Sequence, residues 1–371
     1  MRVAVTVEQS WHHVPGGIAT STVELLRALR TRGDIDLVGV AAWHREPPLE
    51  PFAPPVPVRQ LPLPRRALYE SWQWLRAPRV ERATGPVDVV HDMGYVVPPS
   101  RAPLVATVHD LWFLSHPDYY SWHSAAVLRR GFELARRHAR LVVCPSQASI
   151  DACRAAGIEP ERLRLVPWGV RARSLGGDEA ERVVVRGYGL ERPYVLFCGT
   201  IERRKNLPRL LHAFGKLPRS DHDLVLAGPQ GWNPPGWDAE MEAASARLGR
   251  RCRRLGAVPP GDLDALCARA SAVVYPSLGE GFGFPVLYAM AQGAAVVTSA
   301  GTATAEVAGD AALIVDPGEV DAIAEAIERV LDDRTLAATL GQRGRERAAT
   351  FTWDRTAAVA AEVYEEAARS R

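Results

Sequence analysis

Short apolar runs, each followed by a stretch of helical period, alternate along nearly the whole chain, and that alternation leaves few folds open. "RVAVTV", "GGIATSTVELLRALRTRG" and "IDLVGVAAW" read as strand, helix and strand. A strand that is apolar throughout is buried on both faces, as in a parallel sheet covered by helices. "VDVVHDM", "PLVATVHDL" and "RLVVCPS" continue the strands, with "ALYESWQWLRAPRVERA" and "AAVLRRGFELARRHA" as helices between them. The proline-rich stretch 47–64 is expected to be an irregular surface connection. Residues 170–192 lose the pattern, and the interdomain linker is expected there. The alternation then restarts with "YVLFCGT", "LPRLLHAFGKL", "DLVLAGP", "SAVVYPS", "FPVLYAMAQG", "AAVVTS" and "AALIVD". With 371 residues, more than one core is expected. The expected domains are residues 1–172 and 173–352, with a last helix, 353–371, packing back on the first. Each domain should be doubly wound (α/β), with ligand at the carboxyl ends of the strands in the cleft between them.

Composition removes several classes of function. Lys+Arg of 45 against Asp+Glu of 43 gives a formal net charge of +2, too small an excess to suggest a nucleic-acid partner. No apolar run reaches the roughly 18 residues of a membrane span, and the opening residues lack the apolar core of a signal peptide, so a cytoplasmic protein is expected. The five cysteines are an odd number without a C-x-x-C pair, which argues against a metal cluster or a disulfide framework. Three D-x-D pairs occur, Asp34/Asp36, Asp221/Asp223 and Asp262/Asp264. None follows a strand, so they are read as caps and surface charge, and no essential metal or cofactor is expected.

Two lysines stand against 43 arginines, and one of them, Lys205, sits in "YVLFCGTIERRKNLPRLLHAF", in the turn between a strand and a helix. An isolated basic turn is more often solvated surface. A second stretch, "VVYPSLGEGFGFPVLYAMAQG", shifts that balance. It places Glu280, Gly281, Phe282 and Gly283 between a strand and a helix with Pro285 in its first turn. Free amides at a glycine-flanked helix start favour phosphate oxygens, while a carboxylate beside them suits hydroxyl groups. The two together describe a nucleotide-sugar site. In the first half, "TVHD" puts His109 and Asp110 at the carboxyl end of a strand, where Asp110 either orients His109 or shapes the loop. Gly16 and Gly17 precede the first helix, where a plain tight turn also explains them.

These motifs, in this order, resemble the retaining glycosyltransferases of family four, which have the GT-B fold and include mannosyltransferases and sucrose synthase-like enzymes. The resemblance covers nearly the whole chain. It implies that Glu280 contacts the donor sugar's hydroxyls and that Lys205, with Arg204 or Arg203, meets the donor pyrophosphate. It also implies that His109 contacts the transferred sugar and that Gly16 and Gly17 lie near the donor phosphates. The family's second motif glutamate, a ribose ligand, is replaced by Tyr288, whose hydroxyl can still bond a ribose. Glu306 has a counterpart in a later turn. The implied reaction is front-side transfer of a hexosyl group from a nucleoside diphosphate sugar, with retention. The acceptor is a hydroxyl on a glycan, a lipid-linked glycan or a natural product. "TIERRKN" is most similar to mannosyl- and rhamnosyl-type transferases, so GDP-mannose is the expected donor. Two other readings stay open: a nucleotide-sugar epimerase of the same fold, and a non-catalytic nucleotide-sugar or glycan-binding module. In "RRALYESWQWLRAPRVER" the residues Leu68, Trp72 and Leu75 share a helical face, which suggests core packing. Tryptophan beside arginine also suits peripheral membrane contact.

Overall fold

The apolar runs become the interior strands of two parallel sheets. The computed structural model describes residues 1–14, 16–48, 50–173, 176–218 and 221–369. The chain forms two compact units, one of Met1–Gly169 with the segment beginning at Thr352, the other of Val170–Phe351.

Among the described residues of the first unit, seven strands pair in parallel: β1 (Arg2–Thr6), β2 (Asp36–Trp43), β3 (Val58–Pro64), β4 (Val89–Asp92), β5 (Leu104–Thr107), β6 (Leu141–Cys144) and β7 (Leu163–Leu165). Their order is β3-β2-β1-β4-β5-β6-β7. The helix Trp353–Arg369 docks on this unit through its small and aromatic face. There the Tyr364 hydroxyl lies 2.7 Å from Nδ1 of buried His91, and the Thr356 hydroxyl donates to the Pro167 carbonyl at 2.7 Å. Gly169 passes so close to the start of this helix that a Cβ there would lie 2.3 Å from the Trp353 nitrogen. The last two residues expected in that helix, Ser370 and Arg371, lie outside the described residues.

The second unit repeats the scheme with β8 (Tyr194–Cys198), β9 (Asp223–Ala227), β10 (Cys252–Gly256), β11 (Ala272–Tyr275), β12 (Val296–Ser299) and β13 (Ala312–Val315), in the order β10-β9-β8-β11-β12-β13. Every side chain of β8 is buried, as its unbroken apolar run requires. Fully burying one such Val, Leu or Phe is worth about 1.5–3 kcal/mol.

The structure corrects several expectations. Part of the stretch 47–64 is regular: β3 is an edge strand with only Leu61 buried. Prolines are tolerated there because the outer side of an edge strand needs no N–H donors. The single helix expected over 67–83 is broken. Arg65–Glu70 is α-helical, Ser71–Leu75 widens into a π-turn, and Arg76 is left-handed at φ 52°, two residues before Pro78. The residue before a proline is disfavoured in the α region, so the helix must end here. The wider turn shifts the phase of the side chains. Leu68 and Trp72 are buried, but Leu75 is 76% exposed, and Trp74 is exposed beneath the Arg130 guanidinium, 4.9 Å from its ring.

Residues 170–192 are not merely a linker. Gly177–Glu181 is helical and runs into a π-turn at Arg182–Gly187, with Ala180 and Val184 buried. Ser174 and Leu175 of that stretch lie outside the described residues. Two of the D-x-D carboxylates are not surface charge either. Asp223 is buried, and buried Asp264 accepts from the Arg173 amide at 3.2 Å and from the Gln292 amide side chain at 3.0 Å. No helix among the described residues is long and apolar enough to cross a membrane.

Candidate active site

In the second sheet the chain winds outward from β8 to β10, then returns and winds the other way from β11 to β13. β8 and β11 are therefore neighbours at the point where the winding reverses. Crevices in sheets of this kind open at the carboxyl ends of the strands flanking such a reversal. The turn leaving β8 carries "IERRKN" and the turn leaving β11 carries "SLGEGFG".

Hydrogen bonds to main-chain carbonyls hold the two turns together. Leu278 donates its N–H to the Arg204 carbonyl at 2.9 Å, and Arg204 Nη1 donates to the Gly279 carbonyl at 2.8 Å. Asn206 adopts φ 62°, a left-handed conformation that asparagine tolerates better than most residues. Its Nδ2 donates to the carbonyls of Pro276 at 3.0 Å and Pro317 at 2.7 Å. The chain then turns into the helix Leu207–Lys216.

Lys205 is only 6% exposed. Its Nζ lies 2.5 Å from Oε1 of Glu280 and 3.7 Å from Oε1 of Glu202, and 5.5 Å from the centre of the Tyr275 ring. The same Oε1 of Glu280 accepts from the Tyr275 hydroxyl at 2.9 Å and the Ser277 hydroxyl at 2.8 Å. Arg204 reaches Oε2 of Glu280 at 3.4 Å through Nη1 and Oε1 of Glu202 at 3.1 Å through Nη2. A compact ammonium suits this pocket, where donors and an aromatic face converge on one carboxylate oxygen; a planar guanidinium would need more room.

Burial alone would raise the pKa of Glu280. The charges of Lys205 and Arg204, with hydrogen bonds from Lys205 and Ser277, outweigh burial and hold the carboxyl at about 2. Glu280 is thus ionised at neutral pH. Its Oε1 takes three donors while Oε2 meets only the longer Arg204 contact, so Oε2 retains capacity to accept from a hydroxyl group.

Around this cluster, the Arg203 N–H donates to Oδ1 of Asn233 at 2.9 Å. Phe282 is buried against Phe284 and Phe351, with ring centres 5.3 and 6.1 Å away. Gly281 and Gly283 flank it, and the helix Phe284–Ala291 follows with Pro285 in its first turn. Gly283 has φ 111°, and a Cβ there would lie 2.8 Å from Cγ2 of Thr304, in the helix Ala303–Ala308 that also carries Glu306. The missing side chain at Gly283 is therefore used by Thr304 within the unit. Gly283→Ala is expected to cost about 1–3 kcal/mol, read as a lower urea midpoint with an unchanged slope. Tyr288 lies one turn further along the helix, half-buried, with its ring 6.2 Å from Phe284. Neither Lys205 nor Glu280 bonds to it.

In the first unit the winding reverses between β1 and β4. His109, two residues past β5, points Nε2 at the carbonyl of Met93, just past β4, at 2.9 Å. A carbonyl only accepts, so the proton is assigned to Nε2 and Nδ1 is left as an acceptor. Burial lowers the His109 pKa against the opposing effects of the Met93 bond and Asp110, so the ring is neutral at pH 7. The Ser149 hydroxyl donates to the His109 carbonyl at 2.8 Å and fixes the loop. Asp110 accepts from the Trp112 N–H at 3.0 Å, which shapes the turn. Gly16 and Gly17 open the helix Gly16–Arg32 and are exposed, Gly16 at φ 63° with open space where a Cβ would be.

Within the second unit the structure brings Lys205, Arg204 and Glu280 into one network beside the Gly281–Gly283 turn. His109, Gly16 and Gly17 belong to the first unit. Sequence reasoning missed Glu202, Tyr275 and Ser277 as members of the network. The signal was present: Tyr275 and Ser277 are polar groups ending the buried run "VVYPS". Among the described residues, no group of three or more His, Cys, Asp or Glu side chains could hold a metal ion.

Comparison with known proteins agrees with this architecture. Residues 184–347 match the family described as "Glycosyl transferases group 1", and residues 15–174 match "Glycosyltransferase Family 4". The chain is 32% identical over 273 residues to the O-antigen chain mannosyltransferase B of Escherichia coli, covering 72% of this chain and 71% of that protein. It is 30% identical over 320 residues to the MMP alpha-(1->4)-mannosyltransferase of Mycolicibacterium hassiacum, covering 79% and 74%. The crystal structure of Anabaena Alr3699/HepE in complex with UDP and glucose superposes with a TM-score of 0.78 at 20% identity, over 99% of this chain and 100% of that one. Two doubly wound units of this kind define the GT-B class. The chain belongs to the group 1, family 4-like glycosyltransferases, a family that includes mannosyltransferases.

Proposed function

We propose that this glycosyltransferase moves a hexosyl group, with retention, from a nucleoside diphosphate sugar to a hydroxyl of a carbohydrate-type acceptor. The observation that carries the proposal is the buried Lys205–Glu280 pair, joined by Arg204, at the winding reversal of the second sheet. A departing nucleoside diphosphate gains negative charge as the glycosidic bond breaks, and preorganised cations stabilise that charge most where water is excluded. Lys205 and Arg204 supply it, and Glu202, their second carboxylate partner, is the group a diphosphate displaces. Amides of the Gly281–Gly283 turn add donors to the phosphate oxygens.

Glu280 is held by Lys205, Tyr275 and Ser277, so its free lone pairs on Oε2 accept from sugar hydroxyls. Neutral His109 offers Nδ1 to another hydroxyl of the transferred sugar. Tyr288 takes the ribose, and the acceptor hydroxyl attacks from the face the diphosphate leaves. No step requires a metal. GDP-mannose is the proposed donor, its mannosyl part supported by the two relatives named as mannosyltransferases.

The test is to incubate purified protein with GDP-mannose and UDP-glucose over a glycan acceptor panel and analyse products by NMR. The expected result is free nucleoside diphosphate with a product of the donor's own anomeric configuration. An inverted product would remove the retaining mechanism. Donor isomerisation without diphosphate release would indicate an epimerase. Saturable donor binding with no product on any acceptor would make the protein a binding module.

A further inference from the structure

One peptide bond in the first unit is gripped from both sides, and it is the bond that follows His109. Its carbonyl, that of His109, accepts from the Ser149 hydroxyl at 2.8 Å. Its N–H, that of Asp110, donates to the Tyr95 hydroxyl at 2.9 Å, and the same hydroxyl donates to the Asp110 carbonyl at 2.8 Å. The Tyr95 hydroxyl thus commits its proton and a lone pair to the main chain of one residue. The two grips come from different elements. Ser149 stands in the first turn of the helix Gln147–Ala155, and Tyr95 in the turn that leaves β4.

The turn that bears Tyr95 is itself fixed. The Met93 N–H donates to the Thr6 hydroxyl at 2.9 Å, and that hydroxyl donates to Oδ1 of buried Asp92 at 2.9 Å. The same Oδ1 accepts from the Gly94 N–H at 3.3 Å. Behind the turn, the helix Trp122–His138 runs so close that a Cβ at Gly131 would lie 1.7 Å from the Tyr95 carbonyl oxygen. The Tyr95 ring stands edge-on to Phe113 and to His109, with centres 5.6 and 6.1 Å away.

A side chain leaves its Cα in a direction that the flanking peptide planes set. A peptide held at both its carbonyl and its N–H therefore leaves the imidazole little room to swing. Nε2 of His109 lies 2.9 Å from the Met93 carbonyl, and both ends of that bond depend on Tyr95. The carbonyl belongs to the turn that carries Tyr95, and the ring stands one residue before the groups that Tyr95 bonds.

We propose that Tyr95 is a positioning residue: its hydroxyl holds the His109–Asp110 peptide so that Nε2 stays on the Met93 carbonyl and Nδ1 keeps one direction. The consequence for transfer rests on the role proposed above for His109; the clamp itself does not. Where Nδ1 meets a hydroxyl of the transferred sugar, an error of about 1 Å lowers the rate without loosening the diphosphate, which other residues bind.

NMR of the full chain with isotope-labelled histidine tests the clamp without donor or acceptor, and His109→Asn identifies the signal by removing it. In the wild type the Nε2 proton is expected to be seen directly, because a hydrogen-bonded proton held in place exchanges slowly with water. Tyr95→Phe keeps the ring and removes only the hydroxyl, and should speed that exchange about tenfold or more. Ser149→Ala frees the same peptide at its carbonyl and should act in the same direction; it carries the test alone if Tyr95→Phe lowers the melting temperature. Leu68→Ala, at a buried position elsewhere in the unit, controls for lost stability and should leave the exchange within about threefold of the wild type. In transfer assays Tyr95→Phe should lower kcat about tenfold, with the donor KM within about threefold of the wild type. Unchanged exchange in Tyr95→Phe, or an equal change in Leu68→Ala, would overturn the clamp. Faster exchange with an unchanged kcat would overturn its part in transfer. The exchange is read whether or not any transfer is seen, so failure of the clamp and failure of the transferase reading remain distinct.

Discussion

Lys205→Ala is expected to lower transfer about 10²–10³-fold, the loss typical of removing one preorganised donor from a developing anion. The fall should lie in kcat more than in KM, because the diphosphate carries more charge in the transition state than in the bound donor. The variant leaves Glu280 with Tyr275, Ser277 and Arg204 as partners, so the fold should survive. Single-turnover release of nucleoside diphosphate measures the effect. A rate within about threefold of the wild type would show that Lys205 is structural.

Glu280→Ala should have the largest effect on stability. It leaves Lys205 and Arg204 with Glu202 alone, and removing one partner of a buried charge network costs about 3–5 kcal/mol. The pH dependence is a second signature. The folded pKa of Glu280 is held at about 2, below the ordinary value of 4.5. Its contribution to stability is therefore fully present above pH 4.5 and is lost as pH falls through 2. Urea midpoints taken across that window should fall more steeply for the wild type than for Glu280→Ala. Parallel profiles would mean that the pair does not hold the unit together.

How far the sequence foretold this molecule depends on where a residue sits in the sheets. Interior strands such as β8 and β11 are buried on both faces, so their apolar runs are unmistakable. The strands that went unread, β3, β7 and β10, all lie at sheet edges. Each is partly exposed, and each carries arginine or proline where an interior strand would carry valine. A helix was expected over 67–83, but the π-turn at Ser71–Leu75, which turns Leu75 out to solvent, leaves no periodic trace in a single sequence.

The site was legible in part for a similar reason. Lys205 stood out by rarity, and Glu280 by the glycines after it. That the two also form one ion pair follows from β8 and β11 being neighbours. This is a property of the strand order and not of either motif.

The central claim is that the Lys205 cluster binds the diphosphate of the donor. Calorimetry of GDP and UDP against guanosine and uridine, in the wild type and Lys205→Ala, tests it most directly. The account predicts that at least one diphosphate binds far more tightly than its nucleoside, and that Lys205→Ala weakens that diphosphate about tenfold or more while leaving the nucleoside unchanged. Equal affinity of wild type and variant for both diphosphates would contradict it.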